Sequence, residues 1–193
     1  MVMIEELLKY DTELFQFLNG LGNTSWDSFW LIVTEKWSSI PLYMFMLYLV
    51  YRHYGLKNTV IVMISAALMI AASDQLSNLF KFGFERPRPC RVAELEETMR
   101  FIAKRCGPYG YFSAHASSTM AAAVFLGLLF RKQYRYLPFL LLVWAVVVAY
   151  SRIYIGVHYP LDSITGMFFG GLLGWLFFLL QHWIGNRFFL TNT

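Results

Sequence analysis

Charge is scarce in this chain: only 15% of its 193 residues are Asp, Glu, Lys or Arg, against about 25% in an ordinary soluble domain. That is too little to cover a water-exposed surface, which argues against a soluble fold. No low-complexity tract, internal repeat or composition shift divides the chain, and one domain is expected over residues 1–193. The net charge of +4 is modest, and its basic residues are scattered among apolar runs. A nucleic-acid binder needs a basic stripe instead. Glu5 and Glu6 stand where a secretory leader carries basic residues, so no cleavable signal peptide is expected.

What the chain has is apolar surface, 58% hydrophobic and 19% aromatic residues, concentrated in runs. The pattern predicts an all-α polytopic membrane protein of about five transmembrane helices, six at most. Residues 1 to about 22 carry too much charge to span. Leu7, Leu8, Leu14, Phe15 and Leu18 fall near one face at helical spacing, which predicts an N-terminal amphipathic interfacial helix. A further helix is expected from Ser25 past Trp26, Trp30 and Trp37. The spans follow at about Ser38–Tyr51, Asn58–Phe80, His115–Phe130, Tyr136–Tyr154 and Pro160–Ile184, with a polar loop over residues 84–112.

Three polar stretches sit at span ends: Lys81–Pro89 (KFGFERPRP), Phe112–His115 (FSAH) and Ser151–Asp162 (SRIYIGVHYPLD). Ionisable groups at membrane depth are costly and mark function by default. Alternating helices bring all three stretches to one face. The opposite face collects Arg52, Lys57, Arg131, Lys132, Arg135 and Arg187, which puts the polar face outside the cytoplasm by the positive-inside rule. The arginines of the 84–112 loop weaken that count. Cys90 and Cys106 share this loop, and in an oxidising compartment a bond between them would add roughly 3 kcal/mol. Free thiols are the other reading.

The residue types in these stretches are those that hold and cleave a phosphate. Lys81, Arg88 and Arg152 can cradle the equatorial oxygens. Each of Lys81 and Arg88, taken alone, also reads as a snorkelling anchor. His158 and Asp162 are four apart, so on an opening helical turn Asp162 can hold Nδ1 and free Nε2 for attack. Pro160 suits that first turn. A structural His–Asp pair is the plain alternative. His115 can give a proton to a leaving oxygen, and Ser113 is a plausible N-cap that leaves N–H groups for an anion. A metal held by His115, His158, Asp162 and Asp74 fits less well, because three cations stand nearby. A Ser113-based protease or a proton-relay transporter leaves those cations unexplained.

These residues resemble the type 2 phosphatidic acid phosphatase (PAP2) superfamily. Its signature KxxxxxxRP matches Lys81 to Pro89, and SRxxxxxHxxxD matches Ser151 to Asp162. The middle signature, PSGH, is altered here to Phe112-Ser113-Ala114-His115. The resemblance implies that His158 is the nucleophile of a phosphohistidine intermediate. Asp162 would orient it, and His115 would serve the leaving group and then water. Lys81, Arg88, Ser113, Ala114 through its N–H, and Arg152 would bind phosphate. It further implies no metal and no other cofactor. The expected partner is a lipid phosphate drawn from the bilayer, at the outer face of a bacterial-type inner membrane. Undecaprenyl diphosphate is the first substrate expected, with phosphatidylglycerophosphate or lipid A 1-phosphate as alternatives. A non-catalytic lipid-phosphate binder or transporter is the reading from another class.

Overall fold

A computed structural model describes residues 2–188 and is almost wholly helical among them. The one-domain expectation also took in residues 1 and 189–193, which, like the side chain of Arg187, lie outside the described residues. Seven helices follow in order: α1 (Val2–Gly20), α2 (Thr24–Thr34), α3 (Ile40–Phe84), the short α4 (Ala93–Glu96), α5 (Ala114–Phe130), α6 (Leu137–Tyr154) and α7 (Pro160–Phe188). Three stretches are long and apolar enough to cross a membrane, Trp37–Phe84, Leu137–Tyr154 and Pro160–Ile184. The apolar α5 is shorter, at 17 residues.

The first two expected spans are limbs of the single element α3, which breaks at Gly55. There the backbone takes φ 73° and ψ 172°, a conformation open to glycine and costly for residues with a Cβ. A straight helix would hold Met46 and Met69 about 35 Å apart. Instead both lie in one buried cluster with Val50 and Val62, so the limbs fold back on each other. Asn58 Nδ2 donates to the Tyr54 carbonyl and Thr59 Oγ1 to the Gly55 carbonyl, both at 2.8 Å, and so satisfy groups freed by the break. Counted by limbs, the apolar helices number five. The second limb runs on to Phe84, which places Lys81 in its last turn and not beyond it.

The helix expected from Ser25 is α2, capped by Asn23, whose side chain accepts from Ser25 N. It ends at Thr34, and a 3₁₀ turn over Lys36–Ser39 separates it from α3. In α1 the expected apolar face divides. Phe15 and Leu18 pack inward, while Leu7, Leu8 and Leu14 point outward. The inward face also buries Asp11 and Asn19. Asn19 Nδ2 donates to the Ile153 and Tyr154 carbonyls at 3.1 and 2.9 Å, which ties α1 to the end of α6. Two polar residues are thus buried where the period alone suggested leucines.

α5 lies at the centre, packed against α7, α6 and α3. Its partner face on α7 is Gly166, Gly170 and Gly174, one per turn. A Cβ at these positions would press on the carbonyl oxygens of Ser113, Ser117 and Ala121 respectively. Small residues at this spacing let two backbones touch, which drives association where apolar contact alone does not distinguish protein from lipid. On the opposite side of α5, Ser73 Oγ donates to Ser117 Oγ at 2.7 Å and Ser77 Oγ to the Phe112 carbonyl at 3.0 Å. Replacing Gly170 with Ala should force α5 and α7 apart and cost roughly 1–3 kcal/mol. Thermal melting in detergent is expected to fall for Gly170→Ala and to stay near wild type for Gly20→Ala, whose Cβ would meet nothing within 4 Å.

Candidate active site

The tight α5–α7 contact brings two helix starts together. Ser113, the N-cap of α5, accepts from Ala116 N through its side chain, and its own N–H donates to the Asp162 carbonyl at 3.0 Å. Asp162 stands in the first turn of α7 and is fully buried. Its Oδ2 accepts from His158 Nδ1 at 3.2 Å and from the Tyr159 backbone N–H at 3.0 Å. The turn that carries His158 pivots on Gly156, at φ 83°. Held this way, the buried ring has its Nδ1 engaged by Asp162.

The cations arrive from three elements. Lys81 ends α3, Arg88 follows it in the loop, and Arg152 lies in the last turn of α6. All three charges bear on His158. Burial first, then Arg88, Arg152 and Lys81, push its imidazole well below the ordinary value of 6.5. The ring is therefore held neutral at physiological pH. Arg152 Nη1 donates to Thr34 Oγ1 at 2.6 Å, but its buried Nε has no partner among the described residues. A buried guanidinium N–H without an acceptor fits a site built for an anion.

A second layer of residues went unread in the sequence. Arg86 Nη1 donates to Asp162 Oδ1 at 3.2 Å, and its Nη2 to Asp11 Oδ2 at 2.7 Å. Asp11 Oδ1 in turn accepts from the Leu161 N–H at 2.8 Å. The Arg86 guanidinium lies 4.0 Å over the Tyr159 ring. Asp162 is thus gripped from both sides, by His158 and Tyr159 on one oxygen and by Arg86 on the other. The doubled Arg-Pro of Arg86–Pro89 was the available signal for Arg86. Asp11 had none, since its partner is 75 residues away.

The loop is braced close to the cations. Arg88 Nε donates to the Tyr109 carbonyl at 2.9 Å, and Gly110 N to the Arg86 carbonyl at 2.9 Å. A Cβ at Gly110 would meet Asp162 Oδ2 and the Arg88 stem at 3.0 and 3.1 Å, tight contacts that glycine avoids where the loop covers the pair. Cys90 and Cys106 are bonded, with Cα atoms 6.3 Å apart. The altered second motif also finds its structural reason. Phe112 is fully buried, stacked on Phe169 at 5.4 Å and tilted against Phe80 at 5.2 Å. It joins α3 to α7 where the family pattern has proline.

Ala114 and His115 also border a second space. Both line a largely apolar cavity of about 660 Å³ that runs between the limbs of α3, α5 and α6. The cavity is not lined by His158, Lys81, Arg88, Arg152 or Asp162. His115 therefore borders the apolar cavity. Such an arrangement can hold a phosphorus between His158 and the cations while a lipid occupies the cavity beside His115.

The sequence profile of the PAP2 superfamily matches residues 62–186, well over half of the chain. The chain belongs to the PAP2 superfamily. It is a membrane lipid phosphatase, a hydrolase of phosphoric esters. A lipid A 4'-phosphatase of Bacteroides thetaiotaomicron is 35% identical over 188 residues, 96% of this chain and 83% of the relative. Undecaprenyl-diphosphatase BcrC of Bacillus subtilis is 25% identical over 168 residues, 86% and 81% of the two chains. Among solved structures, the PAP2-type phosphatidylglycerolphosphate phosphatase from Bacillus subtilis superposes with a TM-score of 0.72 at 16% identity. That match covers 97% of this chain and 90% of the other, and shows the shared PAP2 fold.

Removing Arg86 should leave Asp11 and Asp162 as neighbouring buried carboxylates without their counter-ion. Arg86→Ala is expected to lower kcat by roughly tenfold or more, since truncating one partner of a buried charge pair strands the other. In a cycle with Asp11→Asn, the double variant should lose less than the sum of the single losses. Additive losses would show that the two residues do not act together.

Proposed function

We propose that this enzyme removes the 4'-phosphate from lipid A, through a phosphohistidine on His158, at the outer face of a bacterial inner membrane. One observation carries the chemical reading. A neutral His158, held through Nδ1 by Asp162, sits under the charges of Lys81, Arg88 and Arg152.

In the first step His158 Nε2 bonds to phosphorus as the bond from phosphorus to the lipid oxygen breaks. His115, protonated and on the lipid side, gives its proton to that leaving oxygen. Asp162 accepts the Nδ1 hydrogen and stabilises the charge that forms on the ring. In the second step His115 takes a proton from water, water attacks phosphorus, and the P–N bond breaks to release phosphate. Lys81, Arg88, Arg152, Ser113 and the Ala114 N–H stabilise the equatorial oxygens throughout. No step calls on a metal.

The sequence placed undecaprenyl diphosphate first among substrates. The likeness to a lipid A 4'-phosphatase over nearly the whole chain moves lipid A ahead of it. For the outer face, two features speak together. The Cys90–Cys106 bond belongs to an oxidising compartment. The opposite end gathers Arg52, Lys57, Arg131, Lys132 and Arg135, and His53 Nε2 meets Tyr134 Oη there at 2.9 Å.

Purified enzyme should release phosphate from lipid A faster than from undecaprenyl diphosphate or phosphatidylglycerophosphate, with no loss of rate in excess chelator. His158→Ala should lose on the order of 10⁴-fold or more in kcat. Faster release from undecaprenyl diphosphate would overturn the substrate, and full activity of His158→Ala would overturn the nucleophile. For orientation, a membrane-impermeant maleimide should label Cys90 and Cys106 in spheroplasts only after reduction. Labelling that requires lysis would put the site in the cytoplasm.

A further inference from the structure

The cavity beside His115 is apolar except near the site, and there one residue of α3 stands out. Along the second limb the lining residues include Met63, Ala66, Ala67, Ile70 and Asp74. Their spacing of three and four marks one helical face. Lys81 lies seven residues beyond Asp74 and continues that face, about 10 Å further along the axis. The face therefore has three tiers. Lys81 stands at the phosphate, Asp74 comes next, and below it the wall is apolar.

Asp74 makes no hydrogen bond or ion pair among the described residues. It lies inside a membrane-crossing stretch, where an unpartnered carboxylate is costly and a structural role does not account for it. It is within electrostatic reach of Lys81. From the facing helix, His115 and Ser118 line the same end of the cavity. A lipid whose phosphorus sits at the cations, with its acyl chains in the cavity, must pass its linking group through the Asp74 tier.

The chemistry of that linking group separates the candidate lipids. In a sugar phosphate it carries hydroxyl and amide hydrogens, which a carboxylate accepts. In a polyprenyl diphosphate it is a second phosphate, which a carboxylate repels. We propose that Asp74 is a specificity-determining residue, which reads the group between the cleaved phosphate and the acyl chains, favouring a hydrogen-bond-donating sugar over an inner phosphate. The choice of sugar rests on the lipid A reading above. The discrimination against a diphosphate rests on the cavity and on Asp74 alone.

The test compares wild type, Asp74→Asn and Asp74→Glu as full-length protein in detergent, by kcat/KM on two substrate pairs. The pairs are lipid A with undecaprenyl diphosphate, and phosphatidic acid with diacylglycerol diphosphate, which differ from each other by one phosphate. Asp74→Asn is expected to lose about tenfold on lipid A and to gain several-fold on both diphosphates. Asp74→Glu, which keeps the charge, should keep the preference in each pair. If Asp74 only positions Lys81, every substrate falls together and the ratios stay fixed, which overturns the proposal. If wild type does not cleave lipid A, the substrate reading fails, and the second pair still decides whether Asp74 discriminates against an inner phosphate.

Discussion

Gly166, Gly170 and Gly174 let the backbone of α7 rest on the carbonyls of Ser113, Ser117 and Ala121 in α5. In a membrane this contact cannot come from excluding water, because lipid tails are as apolar as leucine. It comes from close packing, and it sets the distance between two helix starts. One start carries Ser113 and His115, the other Asp162, with His158 four residues before it. The Ser113 N–H on the Asp162 carbonyl is the point where the two meet. His115 and Asp162 thus stand on elements whose separation is set by glycine.

Three cations close together at the edge of a membrane repel one another, and the structure answers this in two ways. The carboxylate of Asp162 lies among them, steadied by Arg86, which is itself neutralised by Asp11. The remaining imbalance is positive and falls on His158, near an Arg152 whose Nε has no partner among the described residues. Burial first, and then the same positive field, holds the His158 ring neutral.

α1 contributes more than membrane attachment. Its outward leucines suit a lipid surface, while its inward Asp11, Phe15 and Asn19 grip Arg86, Tyr159 and the end of α6. On the opposite side the cavity between the limbs of α3 exists only because Gly55 folds that helix back on itself. Site and cavity therefore depend on distant parts of the chain, one at each end of the membrane-crossing body.

Lys81, Arg88, Ser113, His115, Arg152, His158 and Asp162 could be picked out in the chain as candidates because each is a polar residue at the end of an apolar run. An interval of four on a helix pairs His158 with Asp162, and alternating spans carry separate stretches to one face whatever the details of packing. Composition likewise determined the helical, membrane-crossing class, since so little charge leaves few other solutions. Tertiary structure alone decided the rest. Arg86 and Asp11 are 75 residues apart, and no periodicity links them. The inward face of α1 could not be told from its outward one, because a leucine facing lipid and a leucine facing protein follow the same pattern. Asp74 was visible as a charge inside a span, but its place on the wall of the cavity follows from the fold-back at Gly55. Spacing along a chain sets which residues can share a helical face, and only packing sets what that face meets.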